Sequence, residues 1–357
     1  MPQKIAIVGA GLIGAALAYQ LARRGDAVTL IDAGLPGHAA SGRSFGWLNA
    51  SFFANEDHFH LRQSGLAAWR RLKSDVPDLS LRWPGALWWE EQGEALHAMH
   101  RKLGALDYPV AHVSGEEVAK RLPDLATVPD EALFFPSEGT AETGEVVHQL
   151  LRAAQSRGAQ VIAGVRATGL KEANGRVAGV LTNCGMVAAD QVVICAGTGA
   201  ADLLSPLGIK LPMLSRPGVM LQSRPLPQFM DQIVVTPQLE IRQDGLGRLL
   251  FPTSPGHQGD TAEAVPDLIP LIADAESRLQ ALFPDLRPEW EQAFVSARPV
   301  PGDGMPAVGA IGPKGLTLAV MHSGATLAAI IAEIVAEEMH DDLRAPMLKP
   351  YRPERFQ

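Results

Sequence analysis

Cysteine and positive charge are both scarce in this sequence of 357 residues. The two cysteines, Cys184 and Cys195, are too few for a disulfide framework or a cysteine-rich metal cluster. Lysine and arginine number 31 against 39 acidic residues, which gives a formal net charge of -8. The sequence therefore lacks the basic field that nucleic-acid binding requires, and nucleic acid is not an expected partner.

Apolar segments long enough to cross a membrane are also missing. Residues 6–22 are nearly uncharged but contain spaced glycines, and the apolar helix predicted near the C-terminus carries Glu333, Glu337 and Glu338. No cleavable leader is visible, so a cytoplasmic location is the simplest expectation. The content of 46% hydrophobic and 20% charged residues is typical of a globular protein, and the length predicts two interleaved domains.

The most informative stretch is residues 5–32, which read IAIVGAGLIGAALAYQLARRGDAVTLID. The pattern predicts a strand, a glycine turn, a helix and a second strand that ends in Asp32. Gly9 suits the tight turn, Gly11 lets a pyrophosphate approach the backbone, and Gly14 lets helix and strand pack closely. Asp32 can accept hydrogen bonds from a ribose diol. The complete motif indicates dinucleotide binding, and it argues against a signal peptide or a membrane span.

The remaining chain alternates between helical and strand patterns. Helices are predicted near residues 56–72, 93–103, 114–122, 143–157 and 274–283, and from residue 324 onward. Ser114 with Glu117 three residues later is a capping box. Strands are predicted at 81–89 (a strand or hairpin), 160–165, 191–196 and 316–320, and a hairpin or meander at 169–189. Residues 212–259 alternate as an antiparallel sheet would, with Asp244-Gly245 as a hairpin turn.

Two segments rich in small residues are predicted to lie against the cofactor. The first follows Asp32 and interleaves small polar residues with Phe45 and Trp47, which is unusual for exposed sequence. The second is the Ala196-Gly197 turn after a buried strand, where small side chains permit close backbone approach. His58 and His60 have no partner at metal-ligand spacing, and no metal ligands are predicted.

Three anchors give the chain a resemblance to the FAD-dependent D-amino-acid oxidase superfamily, which includes glycine oxidases, sarcosine oxidases and D-amino-acid dehydrogenases. They are the opening GAGLIG with Asp32, the block VAADQVVICAGTGAADLLSPLGIKLP, and SARPVPGDGMPAVGAI followed by MHSGATLAA. The resemblance implies an α/β fold in which a Rossmann-like FAD-binding domain (1–80, 140–212 and 292–357) is interleaved with a smaller α+β substrate domain (81–139 and 213–291) built on an antiparallel sheet.

The same resemblance implies an FAD site at the domain boundary. It assigns the pyrophosphate to the glycine turn, the ribose to Asp32, the adenine to the backbone of Val165, and the flavin ring to the helix start at residue 324. The residues predicted to bind FAD are Gly9, Gly11, Leu12, Ile13, Gly14, Asp32, Ala33, Ser41, Gly42, Arg43, Ser44, Val165, Ala196, Gly197, Gly324, Ala325 and Thr326. No cysteine lies in the C-terminal block, so a cysteinyl link to the flavin is not available there.

Arg298 matches the family arginine that clamps a substrate carboxylate, a role that suits a bidentate guanidinium. The alternative is a structural pair with Asp303. None of the three tyrosines lies in the predicted substrate sheet, so Trp47, His257 or His322 are predicted to shape the pocket instead. His322 is either an active-site donor or a packing histidine.

The predicted reaction is oxidation of the CH–NH bond of an amino acid or N-substituted amino acid. Hydride passes to flavin N5 and the resulting imine hydrolyses. The sequence does not decide whether the electron acceptor is oxygen or another compound. It also does not decide between a homo-oligomer and a heteromeric complex. The alternatives are the catalytic subunit of a heteromeric opine- or proline-type dehydrogenase, and an NAD-dependent dehydrogenase or non-catalytic dinucleotide-binding module.

Overall fold

The computed structural model describes residues 3–254, 263–265, 267–341 and 344–357. Within these ranges the α-helices are α1 (Leu12–Arg23), α2 (Glu56–Asp75), α3 (Glu94–Gly104), α4 (Gly115–Arg121), α5 (Thr143–Gln155), α6 (Ala200–Leu204), α7 (Leu268–Leu282) and α8 (Gly324–Asp341). The strands of the first half are β1 (Lys4–Val8), β2 (Ala27–Asp32), β3 (Trp47–Leu48), β4 (Leu81–Arg82), β5 (Ala86–Trp88), β6 (Ala111–Ser114), β7 (Glu131–Phe135), β8 (Gly139–Ala141), β9 (Gln160–Ala163) and β10 (Ala167–Ala173).

The strands of the second half complete the described sheets. They are β11 (Arg176–Thr182), β12 (Gly185–Ala188), β13 (Gln191–Ile194), β14 (Met213–Leu214), β15 (Pro217–Ser223), β16 (Ile233–Val235), β17 (Glu240–Gln243), β18 (Leu249–Pro252), β19 (Trp290–Ala297), β20 (Val300–Pro301), β21 (Ala307–Ala310) and β22 (Leu316–Val320).

A six-stranded sheet in the order β21-β22-β13-β1-β2-β9 forms the first layer. β1 pairs in parallel with β2 and β13, and the parallel run continues to β9 on one side and β22 on the other. The edge strand β21 is antiparallel. The β1–α1–β2 unit at the centre of this sheet confirms the strand, helix and strand predicted for residues 5–32.

Helices cover this sheet at close range because their contact faces carry small side chains. α1 packs against α5 and α8, and α8 also packs against α2. Ala15, Ala16 and Ala18 are fully buried in α1, and Ala328 and Ala329 are fully buried in α8. Among the described helices, none combines the length and apolarity that a membrane crossing requires.

An eight-stranded sheet in the order β19-β15-β18-β17-β16-β5-β7-β6 forms the second layer. Its neighbours are antiparallel except β16 and β5, which pair in parallel and so join two distant segments of the chain. Leu87, Leu221, Ile241 and Phe251 are fully buried on its packed face. This sheet confirms the antiparallel arrangement predicted from the alternation in residues 212–259.

The hairpin predicted at Asp244-Gly245 forms, with a longer loop than a two-residue turn. Asp244 Oδ1 accepts hydrogen bonds from the backbone N–H groups of Leu246 and Arg248, both at 2.9 Å. The left-handed residue is Gly247, with φ of 82°. The acid therefore organises the loop, and the second glycine makes the reversal.

The hairpin alternative for residues 81–89 is wrong. β4 pairs with β8 in a separate three-stranded sheet, whereas β5 pairs with β7 and β16. Pro84, between them, has no N–H to donate to a strand partner, and Gly85 turns the chain at φ of 78°. The stretch is a crossing between two sheets.

Two helix starts are capped by side chains. The predicted capping box is present in α4, where Ser114 accepts from the N–H of Glu117 and the Glu117 carboxylate accepts from the N–H of Ser114. α7 begins at Leu268, earlier than the predicted residue 274, because Asp267 caps it by accepting from the N–H of Ile269.

Gly14 offers a direct test of the close packing in the first layer. A β-carbon at position 14 would lie 2.0 Å from the carbonyl oxygen of Gly9, whereas one at Gly104, on α3, would meet nothing within 4 Å. We expect Gly14→Ala to lower the unfolding free energy by about 2 kcal/mol or more through overpacking. Gly104→Ala should be neutral or stabilising, since alanine favours a helix. Equal thermal unfolding midpoints for the two variants would contradict this packing.

Candidate active site

A cavity of about 1150 Å³ lies between the two sheets. The ends of the parallel strands line one side, where the chain leaves β1, β2, β13 and β22 at Gly9, Asp32, Cys195 and Met321. The eight-stranded sheet lines the other side with Met220, Glu240, Pro252 and Ser296. The carboxyl ends of parallel strands are where α/β folds bind their ligands, so this cavity is the candidate active site.

The first glycine turn brings main chain to the cavity surface. Gly9 has φ of 110°, and a β-carbon there would lie 2.3 Å from the carbonyl oxygen of Cys195. A side chain at this position would separate β1 from the strand beside it. Gly11 immediately precedes α1, and Ser41 Oγ accepts from the N–H of Leu12 at 2.9 Å. The start of α1 is thus tied to the loop that follows β2.

Asp32 holds two loops together at the end of β2. Its Oδ2 accepts from the N–H of Ala10, and its Oδ1 accepts from the N–H of Gly34, both at 2.7 Å. The carboxylate also lines the cavity. Each carboxylate oxygen can accept more than one hydrogen bond, so these contacts orient Asp32 and leave capacity for a ligand hydroxyl.

The start of α8, just after β22, also forms part of the wall. Ser323 takes the left-handed conformation at φ of 58°, and the helix begins at Gly324. Trp69 Nε1 donates to the carbonyl of Ala325 at 2.8 Å, and Thr326 Oγ1 accepts from the N–H of Asn49 at 3.2 Å. The first N–H groups of a helix have no acceptor within it, so this end of α8 can receive a polar or anionic group.

Arg62, on α2, fixes the chain around the start of α8. Its side chain is 5% exposed. Nη1 donates to Ser323 Oγ at 2.8 Å, Nε donates to the carbonyl of Asn49 at 3.1 Å, and Nη2 donates to the Asn49 side-chain oxygen. Burial lowers the pKa of Arg62 to about 10, while the negative charge of Glu138 acts in the opposite direction. The guanidinium therefore stays charged at neutral pH.

Glu138 is a fully buried carboxylate on the same side of the cavity. Oε1 accepts from the Tyr108 hydroxyl at 2.9 Å and from the N–H groups of Ala50 and Ser51, at 3.3 and 3.1 Å. Oε2 accepts from Trp47 Nε1 at 2.8 Å. Burial raises the pKa of Glu138, and these hydrogen bonds oppose the rise. Burial and the carboxylate raise the pKa of Tyr108. The hydrogen bond to Glu138 thus fixes the indole ring of Trp47, a predicted pocket residue.

Arg298 lies in the wall beyond the end of β19. Its Nε and its backbone N–H both donate to the carbonyl of Arg216, at 3.1 and 3.0 Å. Asp303, the alternative partner, instead binds both Nε and Nη2 of Arg355, at 2.6 and 3.0 Å. Among the described residues Arg298 and Asp303 form no ion pair, and the carbonyl of Arg216 is one group that orients the Arg298 side chain beside the cavity.

Two histidines face each other near the start of α8. His322 is exposed to the cavity, and its Nδ1 lies 3.3 Å from Ser323 Oγ. His58 is buried, and its Nδ1 accepts from the N–H of Ala54 at 3.3 Å. Burial lowers the pKa of His58 to about 4, and the positive charge of Arg62 adds to the effect. His58 is therefore neutral at physiological pH.

The cavity brings most of the predicted site residues together. Those in its wall are Gly9, Gly11, Leu12, Ile13, Asp32, Ser41, Arg43, Ser44, Trp47, Ala196, Gly197, Arg298, His322, Gly324, Ala325 and Thr326. His257 lies outside the described residues. Four other predicted residues are not part of the wall: Gly14, Ala33, Gly42 and Val165.

For three of those four residues, Gly14, Gly42 and Val165, a backbone contact elsewhere explains the position. Gly14 faces the Gly9 carbonyl, and a β-carbon at Gly42 would lie 2.3 Å from the carbonyl oxygen of Gly37. β9 ends at Ala163 rather than at the predicted residue 165. The N–H of Val165 donates to the carbonyl of Asp32 at 2.9 Å, so Val165 supports the loop after β2.

Several wall residues were missed by the sequence analysis. His58 and Arg62 are four residues apart on α2, which places them on one helix face. This spacing beside the apolar residues Phe59 and Leu66 could have predicted that both side chains are buried. Lys102 and Met99, on α3, also line the cavity. Glu240 lies in the wall from β17 and is 7% exposed. Nothing in its local sequence separates it from other polar strand residues.

Comparison with known proteins identifies one family of oxidoreductases. The model of the family described as FAD dependent oxidoreductase (DAO) matches residues 4–338. The uncharacterized oxidoreductase YurR of Bacillus subtilis is 34% identical over 217 residues, which are 57% of this chain and 57% of YurR. The chain thus spans little more than half of that relative's length.

Two glycine oxidases match over nearly the whole chain. The glycine oxidase of Pseudomonas putida is 27% identical over 381 residues, which cover 99% of this chain and 99% of the relative. The crystal structure of glycine oxidase from Geobacillus kaustophilus superposes with a TM-score of 0.87 at 25% identity, and covers 98% of both chains.

Arg62 should be required for FAD retention. We expect Arg62→Met to weaken FAD binding at least about tenfold, because the start of α8 and the Asn49 segment lose their shared donor and leave buried acceptors unsatisfied. Arg71→Met is the matched control, since Arg71 lies on the same helix and pairs with Glu333 of α8 at the surface. Flavin affinity is measured by fluorescence titration, and equal affinities in the two variants would contradict the role given to Arg62.

His58 should make stability depend on pH. Its pKa is about 4 in the folded chain against 6.5 unfolded, so the unfolded chain binds the proton first as pH falls. Stability should be fully present above pH 6.5 and decline as pH falls toward 4. Between about pH 7 and pH 5, the free energy of unfolding of the His58→Asn variant should fall by about 1–2 kcal/mol less than that of the wild type. Urea unfolding measures it, with His148→Asn, an exposed histidine on α5, as the control.

Proposed function

This chain belongs to the DAO family of FAD-dependent oxidoreductases, as the three sequence anchors predicted, and we propose that it oxidises the CH–NH bond of an amino acid or N-substituted amino acid. FAD is its cofactor and the family consists of oxidoreductases, which removes the alternatives of an NAD-dependent dehydrogenase and of a non-catalytic dinucleotide-binding module. The proposal draws its substrate class from the glycine oxidases of Pseudomonas putida and Geobacillus kaustophilus, which resemble the chain over nearly its full length.

The cavity has the features that FAD requires. Gly9 and Gly11 leave room for a pyrophosphate against the backbone at the start of α1, where the helix dipole favours an anion. We assign the ribose to Asp32 and the flavin ring to the start of α8, at Gly324 and Ala325. When bound, FAD accepts a pair of electrons as a hydride.

The observation that carries the substrate proposal is Arg298 in the same cavity. A guanidinium offers two parallel N–H donors to a carboxylate and keeps its charge in a buried site. Because its Nε is bound to the carbonyl of Arg216, the plane of the group is held before any substrate arrives. We therefore assign Arg298 to the carboxylate of the amino acid.

The remaining wall residues would orient the substrate and keep water out. Phe52 packs edge-on against Trp47 and Trp88, with ring centroids 5.4 and 6.2 Å apart, and all three rings line the cavity. With the carboxylate held by Arg298, the α-carbon is directed toward the flavin site. The α-carbon would lose its hydrogen as hydride and the amine a proton, which gives an imine. Water would then convert the imine to a keto acid and ammonia, or to a keto acid and an amine where the nitrogen carries a substituent.

We propose that residues 1–80, 140–212 and 292–357 serve mainly to bind FAD, and that residues 81–139 and 213–291 serve mainly to bind substrate. Two experiments would identify the electron acceptor and the assembly state. Oxygen consumption with peroxide release would identify an oxidase, and reduction of an artificial dye alone would identify a dehydrogenase. An active, FAD-replete homogeneous chain would argue against an obligatory heteromeric partner.

An anaerobic bleaching screen tests the proposed reaction. The FAD-replete chain is mixed without oxygen with glycine, sarcosine, D-amino acids, proline and opines. We expect at least one of them to abolish the visible absorbance of the oxidised flavin, because the flavin accepts the substrate's electrons. Full retention of that absorbance with every amino acid would contradict the proposed function.

Arg298→Ala tests the carboxylate assignment. We expect KM for the best amino acid to rise about 100-fold or more, because the substrate carboxylate loses its charged partner. The corresponding amine without a carboxylate should be oxidised equally well by wild type and variant. Arg287→Ala, at an exposed position, is the control for loss of positive charge. An unchanged KM in steady-state kinetics would remove Arg298 from the substrate site.

A further inference from the structure

A cluster of histidines lies outside the candidate active site, where α3 meets the strands β6 and β7. His97 lies on α3, His112 on β6 and Glu131 on β7. The Nε2 atoms of His97 and His112 both approach Oε2 of Glu131, at 3.0 and 2.6 Å. One ligand atom from each of the three residues lies within 4.8 Å of the other two.

We propose that His97, His112 and Glu131 form a binding site for a divalent transition metal such as Zn²⁺. Two imidazoles and one carboxylate are a common set of three protein ligands for zinc, with water in the fourth position. Ligand atoms of a tetrahedral zinc ion lie about 3.3 Å apart, given metal–ligand distances of about 2.0 Å. The separations of 3.0 and 2.6 Å between the two Nε2 atoms and Glu131 Oε2 are close to this value.

A fourth imidazole stands beside this set. His100 follows His97 by three residues on α3, so both project from neighbouring positions of the helix. The His112 ring lies 5.8 Å from the His97 ring and 6.2 Å from the His100 ring, measured between centroids. His100 is therefore placed to replace the water ligand.

The accessibility and chemistry of the cluster also suit a metal ion. The side chains of His97 and His112 are 45% and 42% exposed, so an ion can enter from solvent. Soft or borderline metals prefer imidazole nitrogen, and calcium or magnesium prefer oxygen, so the class is Zn²⁺, Ni²⁺, Co²⁺ or Cu²⁺.

The position of the cluster connects it to the cavity. α3 presents Ala95, Ala98, Met99 and Lys102 to the cavity, and His97 to the strands. A metal bound by His97, His112 and Glu131 would join α3 to β6 and β7 by coordinate bonds. Occupancy of the surface site would thereby restrain the helix that forms part of the cavity wall.

Zinc titration of the FAD-replete chain tests the site. After dialysis against a chelator, we expect one equivalent of Zn²⁺ to bind at about pH 7.5 with a micromolar Kd by calorimetry. His97→Ala, His112→Ala and Glu131→Gln should each weaken binding by about tenfold or more. Glu131→Gln keeps an acceptor oxygen for the imidazoles and so preserves the fold. His148→Ala, an exposed histidine on α5, should bind zinc as the wild type does.

Hydrogen exchange tests the link to the cavity wall. Saturating Zn²⁺ should slow amide exchange in residues 94–104 of the wild type and leave the Glu131→Gln chain unchanged. The proposal is overturned if the wild type shows no saturable binding up to about 1 mM Zn²⁺, or if the three cluster variants bind as tightly as the wild type. Unchanged exchange in zinc-saturated wild type would overturn the restraint on α3.

Discussion

Two charged side chains withdrawn from water, Arg62 and Glu138, hold the chain that surrounds the candidate active site. Residues 49–51 between β3 and α2 form no ladder of their own, yet they are buried. Arg62 satisfies the acceptors of Asn49, and Glu138 satisfies the donors of Ala50 and Ser51. Buried backbone polar groups need partners, and here charged side chains from two other parts of the chain supply them.

This arrangement makes three parts of the wall depend on one another. Arg62 also binds Ser323, which precedes α8, and Glu138 also binds Trp47 and Tyr108. Loss of either charge would leave the other without its counter-charge. It would also leave several buried hydrogen-bonding groups without a partner, which is costly. The start of α8 is therefore positioned by long-range polar contacts, in addition to the packing of its alanines against α1 and α2.

Local pattern predicted the elements and the first turn of the site, because there the function depends on backbone geometry that leaves a trace in sequence. Gly9, Gly11 and Asp32 could be predicted as cofactor contacts from spacing alone, and all three line the cavity. The buried pair Arg62 and Glu138 could not, because its meaning depends on residues more than 70 positions apart meeting in one dry region. The join of β16 to β5 was equally hidden, since parallel pairing between distant segments has no local signal, and the same holds for residues 97, 112 and 131.

Arg298, to which we assign the substrate carboxylate, has a main-chain contact, and other residues of the cavity wall come from α3 and β17. The carbonyl of Arg216 accepts hydrogen bonds from both the Nε and the backbone N–H of Arg298, so main chain contributes to the direction of the guanidinium. Met99 on α3 and Glu240 on β17 also line the cavity, from elements that do not carry Arg298. Substitutions of Met99 or Glu240 would therefore alter the shape and charge of the cavity without removing the contact between Arg298 and the Arg216 carbonyl. Under the proposed function, such substitutions would change which amino acid fits while Arg298 still orients its carboxylate.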